Sequence, residues 1–245
     1  MNMRRRIWVY LAFFAVLLTG FYLLLPKEML HKSALPILND NVQPFSFIDQ
    51  NGKPVTEKTV EGKVYVTEYF FTTCKGICPI MNANMRRVHD VYKDEGDFMI
   101  ISHTCMPETD SVPLLKAYEA KMINGKLVKK GSGSYKIEYD TNQYRSHPVV
   151  NNNWSFVTGD KPALYKMARQ GYMIDNNKPD STQNISNQFI HTQFFALVDK
   201  NRRVRAIYDG LNEGEIQKLI TDIKSLLKEK VDHKRFMDGF NNNPN

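Results

Sequence analysis

The run Val64 to Phe71, VYVTEYFF, passes directly into TTCKGICPIMNANM, and this junction constrains the chain more than any other stretch. β-Branched and aromatic residues dominate the run, as in a strand buried in the middle of a sheet, with Glu68 as its one interruption. Pro79 suits the first turn of a helix, because its φ is fixed near about −65° and it has no N–H to leave unpaired. Its ring also disfavours helical geometry at the preceding residue. Cys78 is therefore expected at the helix cap, with Cys74 on the loop before it. Cys78 would face the free N–H groups of the helix, with Lys75 close by, and both effects lower a thiol pKa. The expectation is a pair of exposed, readily ionised thiols. Such a pair can form a structural disulfide, exchange disulfides with a partner, or hold a soft metal.

A chain of 245 residues is long enough for one or two domains with a sizeable core. Three cysteines exclude a disulfide-dense scaffold and leave Cys105 as an odd thiol beside a working pair. The net charge is +7, and three of those charges are Arg4, Arg5 and Arg6. No basic block with interleaved aromatics occurs, so no nucleic-acid partner is expected.

Ile7 to Leu25 carries no charge and as a helix would span roughly 28 Å, about the thickness of a bilayer's hydrocarbon core. Arg4 to Arg6 precede it, which keeps residues 1–6 in the cytoplasm. Trp8, Tyr10 and Tyr22 suit the interfaces. The competing reading is a cleaved signal peptide, but the apolar run is long for one and no A-x-A-like site follows Leu25. On this reading the chain is a single-pass protein of a bacterial inner membrane. It has an anchor at 7–25, a linker at 26–43, a periplasmic domain at 44–230 and a disordered tail at 231–245.

Within the exported part, Phe45 to Ile48 reads as a short strand and Gln50 to Lys53 as a turn. A helix from Pro79 shows apolar residues at Met81, Met85, Val88 and Tyr92, spaced for one face. Phe98 to Ser102 is a second buried strand, and Asp110 is placed to cap a helix running to about Met122. Residues 124–153 are poor in apolar residues and contain Gly131-Ser132-Gly133-Ser134, which marks a mobile insertion. Trp154 to Val157 is a strand and Lys161 to Gln170 a helix. A polar loop over 175–188 leads to His191. Phe194 to Asp199 and Arg203 to Tyr208 form a hairpin. Asn212 with Glu215 resembles a capping box for a last helix striped with Ile216, Leu219, Ile220, Ile223, Leu226 and Leu227. Early strands joined through helices imply a parallel half-sheet and the late hairpin an antiparallel half. The fold class is α/β, a central mixed sheet flanked by helices after an N-terminal transmembrane helix. A dithiol between the central strand and a helix resembles the thioredoxin-like fold.

These pieces together resemble the Sco/SenC family of membrane-anchored, thioredoxin-like copper proteins. The matching residues are TTCKGICP, Pro107-Glu108-Thr109-Asp110 after a strand, Trp154 to Gly159, and IHTQFFALVDKNRRVRAIYDG. The resemblance implies that copper, as Cu(I) or Cu(II), is held by Cys74, Cys78 and His191. It further implies a metallochaperone that delivers copper to the CuA site of cytochrome c oxidase subunit II, or to another periplasmic cuproprotein; the chain is expected to be a monomer. The alternative is a periplasmic thiol–disulfide oxidoreductase that uses Cys74 and Cys78 as its redox pair. Two departures stand out. Lys75 occupies a place where the family often has proline, and Met106-Pro107 replaces a frequent Asp-Pro pair.

The remaining candidates each carry a plainer reading. Glu68 is expected on an exposed or edge face, or else as a buried carboxyl of raised pKa able to accept a cysteine proton. Cys105 reads as a semi-buried thiol, His103 and His147 as surface or hydrogen-bonding residues, and Met81 and Met85 as core. Met106 is a candidate thioether ligand.

Overall fold

The structure is a computed structural model and describes residues 3–24, 35–131, 134–140, 148–175 and 192–231. Helix α1 covers Met3–Leu24. Its apolar side chains face outward all round, among them Trp8, Leu11, Phe14, Leu18 and Phe21. Among the described residues no helix is long and apolar enough to cross a membrane.

The remainder is built on a seven-stranded sheet in the order β2-β1-β7-β4-β3-β8-β9. The strands are β1 (Ser46–Asp49), β2 (Pro54–Thr56), β3 (Val64–Phe70), β4 (Phe98–Thr104), β7 (Trp154–Thr158), β8 (Phe194–Val198) and β9 (Val204–Asp209). β3 lies between β4, which runs parallel to it, and β8, which runs antiparallel. The expected parallel half and antiparallel half are therefore both present and meet at β3. All seven residues of β3 are buried. Its alternation divides the core. Val64, Val66 and Phe70 enter one apolar cluster, and Tyr65 and Tyr69 the other.

The first cluster is covered by α2 (Cys78–Tyr92), α3 (Val112–Asn124) and α5 (Glu213–Leu227). Met81, Met85 and Val88 are fully buried, so the helical spacing read from α2 correctly identified its core face. In α5 the residues Ile216, Leu219, Ile223 and Leu226 are buried. Its cap is Asn212, whose Oδ1 accepts hydrogen bonds from the amides of Gly214 at 2.9 Å and Glu215 at 3.3 Å. The second cluster is covered by α4 (Lys161–Lys166), which passes into a π-helical turn over Met167–Gly171.

A second sheet pairs β5 (Lys126–Lys129) antiparallel with β6 (Tyr135–Glu138). The segment expected to be a mobile insertion is thus a hairpin in its described part, and it is fastened to the domain. Ile137 is buried in the first cluster. The Arg87 guanidinium sits 4.0 Å from the centre of the Tyr135 ring. It also forms a two-pronged ion pair with Glu213 at 2.6 Å for each contact. The low apolar content that suggested mobility reflects a hairpin with a single buried face.

Gly210, which closes the Tyr208-Asp209-Gly210 turn, is required by packing. A Cβ there would lie 2.7 Å from the Phe195 ring and 2.8 Å from the Gln193 carbonyl. At the other end of the sheet, Arg205 gathers several acceptors. Its Nη1 lies 2.9 Å from Asp199 and 2.8 Å from Glu229, and its Nη2 donates to the Leu35 carbonyl at 2.7 Å. Leu38 and Val42 donate from their backbone to Val204 and Arg202, so the strand-like approach to the domain is tied along β9.

Glu68 is fully buried in the middle of β3, which overturns the expectation of an exposed or edge position. Its Oε1 accepts from the Ser102 hydroxyl at 2.7 Å, and that hydroxyl accepts from Trp154 Nε1 at 2.9 Å. Oε2 has no hydrogen-bond partner. Burial raises its pKa to about 8, against a smaller lowering by Ser102.

Two predictions follow from the buried charges. Between about pH 4.5 and about pH 8 the folded protein holds the Glu68 proton while the unfolded chain has released it. Stability should therefore fall as pH rises through this window, by on the order of a few kcal/mol from this residue. Urea unfolding of the parent and Glu68→Gln at pH 5 and pH 8 should show the variant losing less stability across the interval; parallel losses would refute the assignment. Separately, Arg205→Met removes the guanidinium that bonds Asp199, Glu229 and the carbonyls of Leu35 and Pro36. It should cost about 2–4 kcal/mol, and a loss below about 0.5 kcal/mol in denaturant unfolding would show that the cluster is dispensable.

Candidate functional site

The dithiol lies at the C-terminal end of β3. After Phe70 the chain leaves the sheet, turns through Thr72 to Ile77 and enters α2 at Cys78. The backbone amide of Cys74 returns to the Phe71 carbonyl at 3.2 Å. Cys78 is the first residue of the helix and Ile77 takes the cap position in helical geometry, without a capping side chain. The expectation of Cys78 as the cap is thus off by one residue. Pro79 then occupies the second helical position, where its missing N–H is still outside the helical ladder.

The expectation of exposed, readily ionised thiols is also corrected. Cys74 is half-buried, Cys78 is only 5% exposed, and Lys75 points to solvent. All three cysteines are free thiols. Burial pushes the Cys78 thiol well above its usual range, and a hydrogen bond with Cys74 and the charge of that neighbour push it further. A backbone hydrogen bond at Phe71 works the other way and is outweighed. The helix N-terminus does not win here because the sulfur sits against the first apolar cluster, where a thiolate loses its hydration.

The surroundings of the pair are aromatic and acidic. Phe70 stacks on Tyr118 with ring centres 4.9 Å apart. The Tyr118 hydroxyl is raised by burial and by the nearby Glu68, Cys78 and Cys74. Glu68 also adds to the upward shift of Cys78, so the buried carboxyl and the dithiol share one environment.

Asp110 holds the first part of the cysteine loop. It is fully buried, and its carboxylate accepts from the Thr72 amide at 3.2 Å and the Thr72 hydroxyl at 2.6 Å. It also accepts from the Thr104 hydroxyl at the end of β4. The cap of α3 is Ser111 rather than Asp110. In the sequence this residue stood out as a helix cap and in the match to Pro107-Glu108-Thr109-Asp110, and nothing local indicated that its partner is Thr72.

His191 lies outside the described residues, as do His147 and residues 176–190. The described chain resumes at Thr192, which is buried and donates to the Ile174 carbonyl at 2.6 Å. β8 begins at Phe194, and its pairing of Ala196 with Thr67 puts this start beside the exit of β3. Among the described residues no three His, Cys, Asp or Glu side chains come together as a metal site.

Two of the other sequence candidates, Cys105 and His103, pack with the second apolar cluster. Cys105 is buried, its thiol donates to the Phe70 carbonyl at 3.1 Å, and burial raises its pKa to about 12. His103 is fully buried, shares a hydrogen bond with the Thr67 hydroxyl at 3.0 Å, and stacks on Tyr69 at 4.9 Å. Burial lowers its pKa to about 3, so it stays neutral. It is a hydrogen-bonding core residue, not a surface one. Met106 is half-buried, and its amide is taken by the Thr104 hydroxyl.

Comparison with known proteins agrees with this architecture. The SCO1/SenC family model matches residues 38–147 and 138–228. The SCO1 protein homolog of Bacillus subtilis (strain 168) is 30% identical over 190 residues, which covers 77% of this chain and 83% of the relative. Among solved structures, BsSco, described as a member of the Sco family of cytochrome c oxidase assembly proteins with an identified disulfide switch, is 28% identical. It matches with a TM-score of 0.59 over 81% of this chain and 100% of its own. A SCO1/SenC family lipoprotein of Bacillus anthracis str. Ames is 27% identical, with a TM-score of 0.57 over 78% of this chain and 96% of its own. By the extent of the family match and the shared thioredoxin-like fold, this chain belongs to the SCO1/SenC family.

Proposed function

We propose that this protein is a copper metallochaperone that takes copper on Cys74, Cys78 and His191 and passes it to the CuA site of cytochrome c oxidase subunit II. The observation that carries the reading is the placement of two free thiols, Cys74 and Cys78, against the same apolar cluster at the exit of the central strand. Two thiolates and an imidazole are a soft, three-donor set suited to Cu(I) and tolerated by Cu(II), whereas structural zinc takes four ligands. The start of β8 beside the β3 exit supports the reading, because Phe194 follows soon after His191 in the sequence.

The electrostatics fit a cargo site. With Cu(I), two thiolates and a neutral imidazole sum to one negative charge. Glu68, kept protonated at neutral pH by burial, adds no second one. Cys78 keeps its proton until a metal displaces it, so the empty site does not bury an unpaired thiolate. Membrane anchoring through Ile7 to Leu25, with the domain in the periplasm of a bacterium, belongs to the same proposal. It rests on the uncharged run in the sequence and on the exposed apolar side chains of α1, among them Trp8, Leu11, Phe14 and Leu18.

A second reading, reduction of a partner's disulfide, is favoured by the unequal burial of the two thiols. The more accessible Cys74 would attack, and Cys78 would then close on it and release the partner's second thiol. The partner's disulfide is reduced to two thiols as the Cys74–Cys78 pair is oxidised. The two activities can share one site.

Titration of the reduced full-length chain with Cu(I) against a competing chelator tests the first reading. The parent should bind about one equivalent, and Cys78→Ala and His191→Ala should each weaken binding at least about 10-fold. Binding of less than about half an equivalent by the parent would reject it. Thiol exchange that survives in His191→Ala while copper binding is lost separates the two activities. Because binding must expel the Cys78 proton, apparent copper affinity should rise by about 10-fold per pH unit between pH 6 and 8 for each proton displaced. A flat profile would show that the thiols are already ionised.

A further inference from the structure

We propose that Asp110 is the positioning residue of the cysteine loop, setting where Cys74 stands relative to Cys78 before a metal or a disulfide joins them. The inference deepens the site reading given above and rests on it in part. Cys78 is already placed by α2 and by burial in the core. Cys74 is not, because it lies on a loop whose next two residues, Lys75 and Gly76, are exposed. A Cβ built on Gly76 would have nothing within 4 Å. Among the described residues, Asp110 is the one side chain outside the loop that hydrogen-bonds to residues 72–77.

The clasp reaches three elements. The Asp110 carboxylate takes the Thr72 amide and hydroxyl, two residues before Cys74. It takes the Thr104 hydroxyl from the last residue of β4. Its own amide donates to the Met106 carbonyl at 2.9 Å, at the approach to α3. A carboxylate suits this place because it can accept from three donors at once while a hydroxyl cannot. An asparagine can nearly replace it, since its oxygen can serve the Thr72 amide and the Thr104 hydroxyl while its NH₂ donates to the Thr72 oxygen. Position rather than charge is therefore the proposed contribution. A loop ordered in advance spares the site the entropy of ordering it when copper or a disulfide forms.

The test compares full-length parent, Asp110→Ala, Asp110→Asn and Thr72→Val. Two constants are measured: Cu(I) affinity, and the equilibrium for closing the Cys74–Cys78 disulfide against glutathione. In the latter reaction two protein thiols are oxidised and one glutathione disulfide becomes two glutathione thiols. Asp110→Ala should lower both constants about 10-fold, in the range that removing a residue behind a metal ligand produces. Asp110→Asn should restore both to within about threefold of the parent, and Thr72→Val should fall between. Unchanged constants in a folded Asp110→Ala, or no rescue by Asp110→Asn, would overturn the proposal. If Asp110→Ala does not fold, Thr72→Val decides, because it keeps both Asp110 and Thr104. A parent that binds no copper rejects the metallochaperone reading alone, and the disulfide equilibrium still judges the clasp.

Discussion

The burial of β3 on both faces is the constraint from which the site follows. A strand with a neighbour on each edge and a hydrophobic layer on each side cannot shift register without exposing one set of side chains. Its C-terminal end is therefore a fixed point, and the residues that leave it start from known ground. The cysteine loop begins there, the start of β8 lies beside it, and the end of β4 is paired level with Phe70. Three chain segments thus meet at one pole of a rigid sheet.

The same burial determines the electrostatics. Low-dielectric surroundings raise Glu68 and Cys78 and lower His103, in each case favouring the neutral form. At the dithiol end of the sheet, Glu68 and Cys78 are thus held neutral, although both can become anionic. A soft cation changes this balance because it supplies the positive charge that makes a buried thiolate acceptable. Nearby, the carboxyl oxygens of Asp110 have donors from Thr72 and Thr104, whereas Glu68 has Ser102 alone and an unpartnered second oxygen.

Much of this was legible along the chain. The β-rich run of β3, the spacing of Met81, Met85 and Val88, the hairpin of β8 and β9, and the Asn212 cap all follow from local preference and periodicity, and all are present. The misreadings have a common cause. Cys78 was expected to be exposed because a helix start is locally a polar place, yet α2 begins against the core. Asp110 was expected to cap α3, the nearest helix, yet its partner is Thr72, which lies 38 residues away in sequence. The insertion looked mobile because a hairpin with one buried face has few apolar residues, and only its docking through Arg87, Tyr135 and Ile137 shows it fastened.

The sequence by itself determined which segments are strands and helices, that two thiols follow the central strand, and to which family the chain belongs, because these depend on near neighbours and on motif. Tertiary structure alone decided how those thiols behave. Solvation and charge act through space, and the groups that tune Cys78 and hold its loop, Glu68 and Asp110, reach it only when β3, β4 and α3 are brought to one end of the sheet.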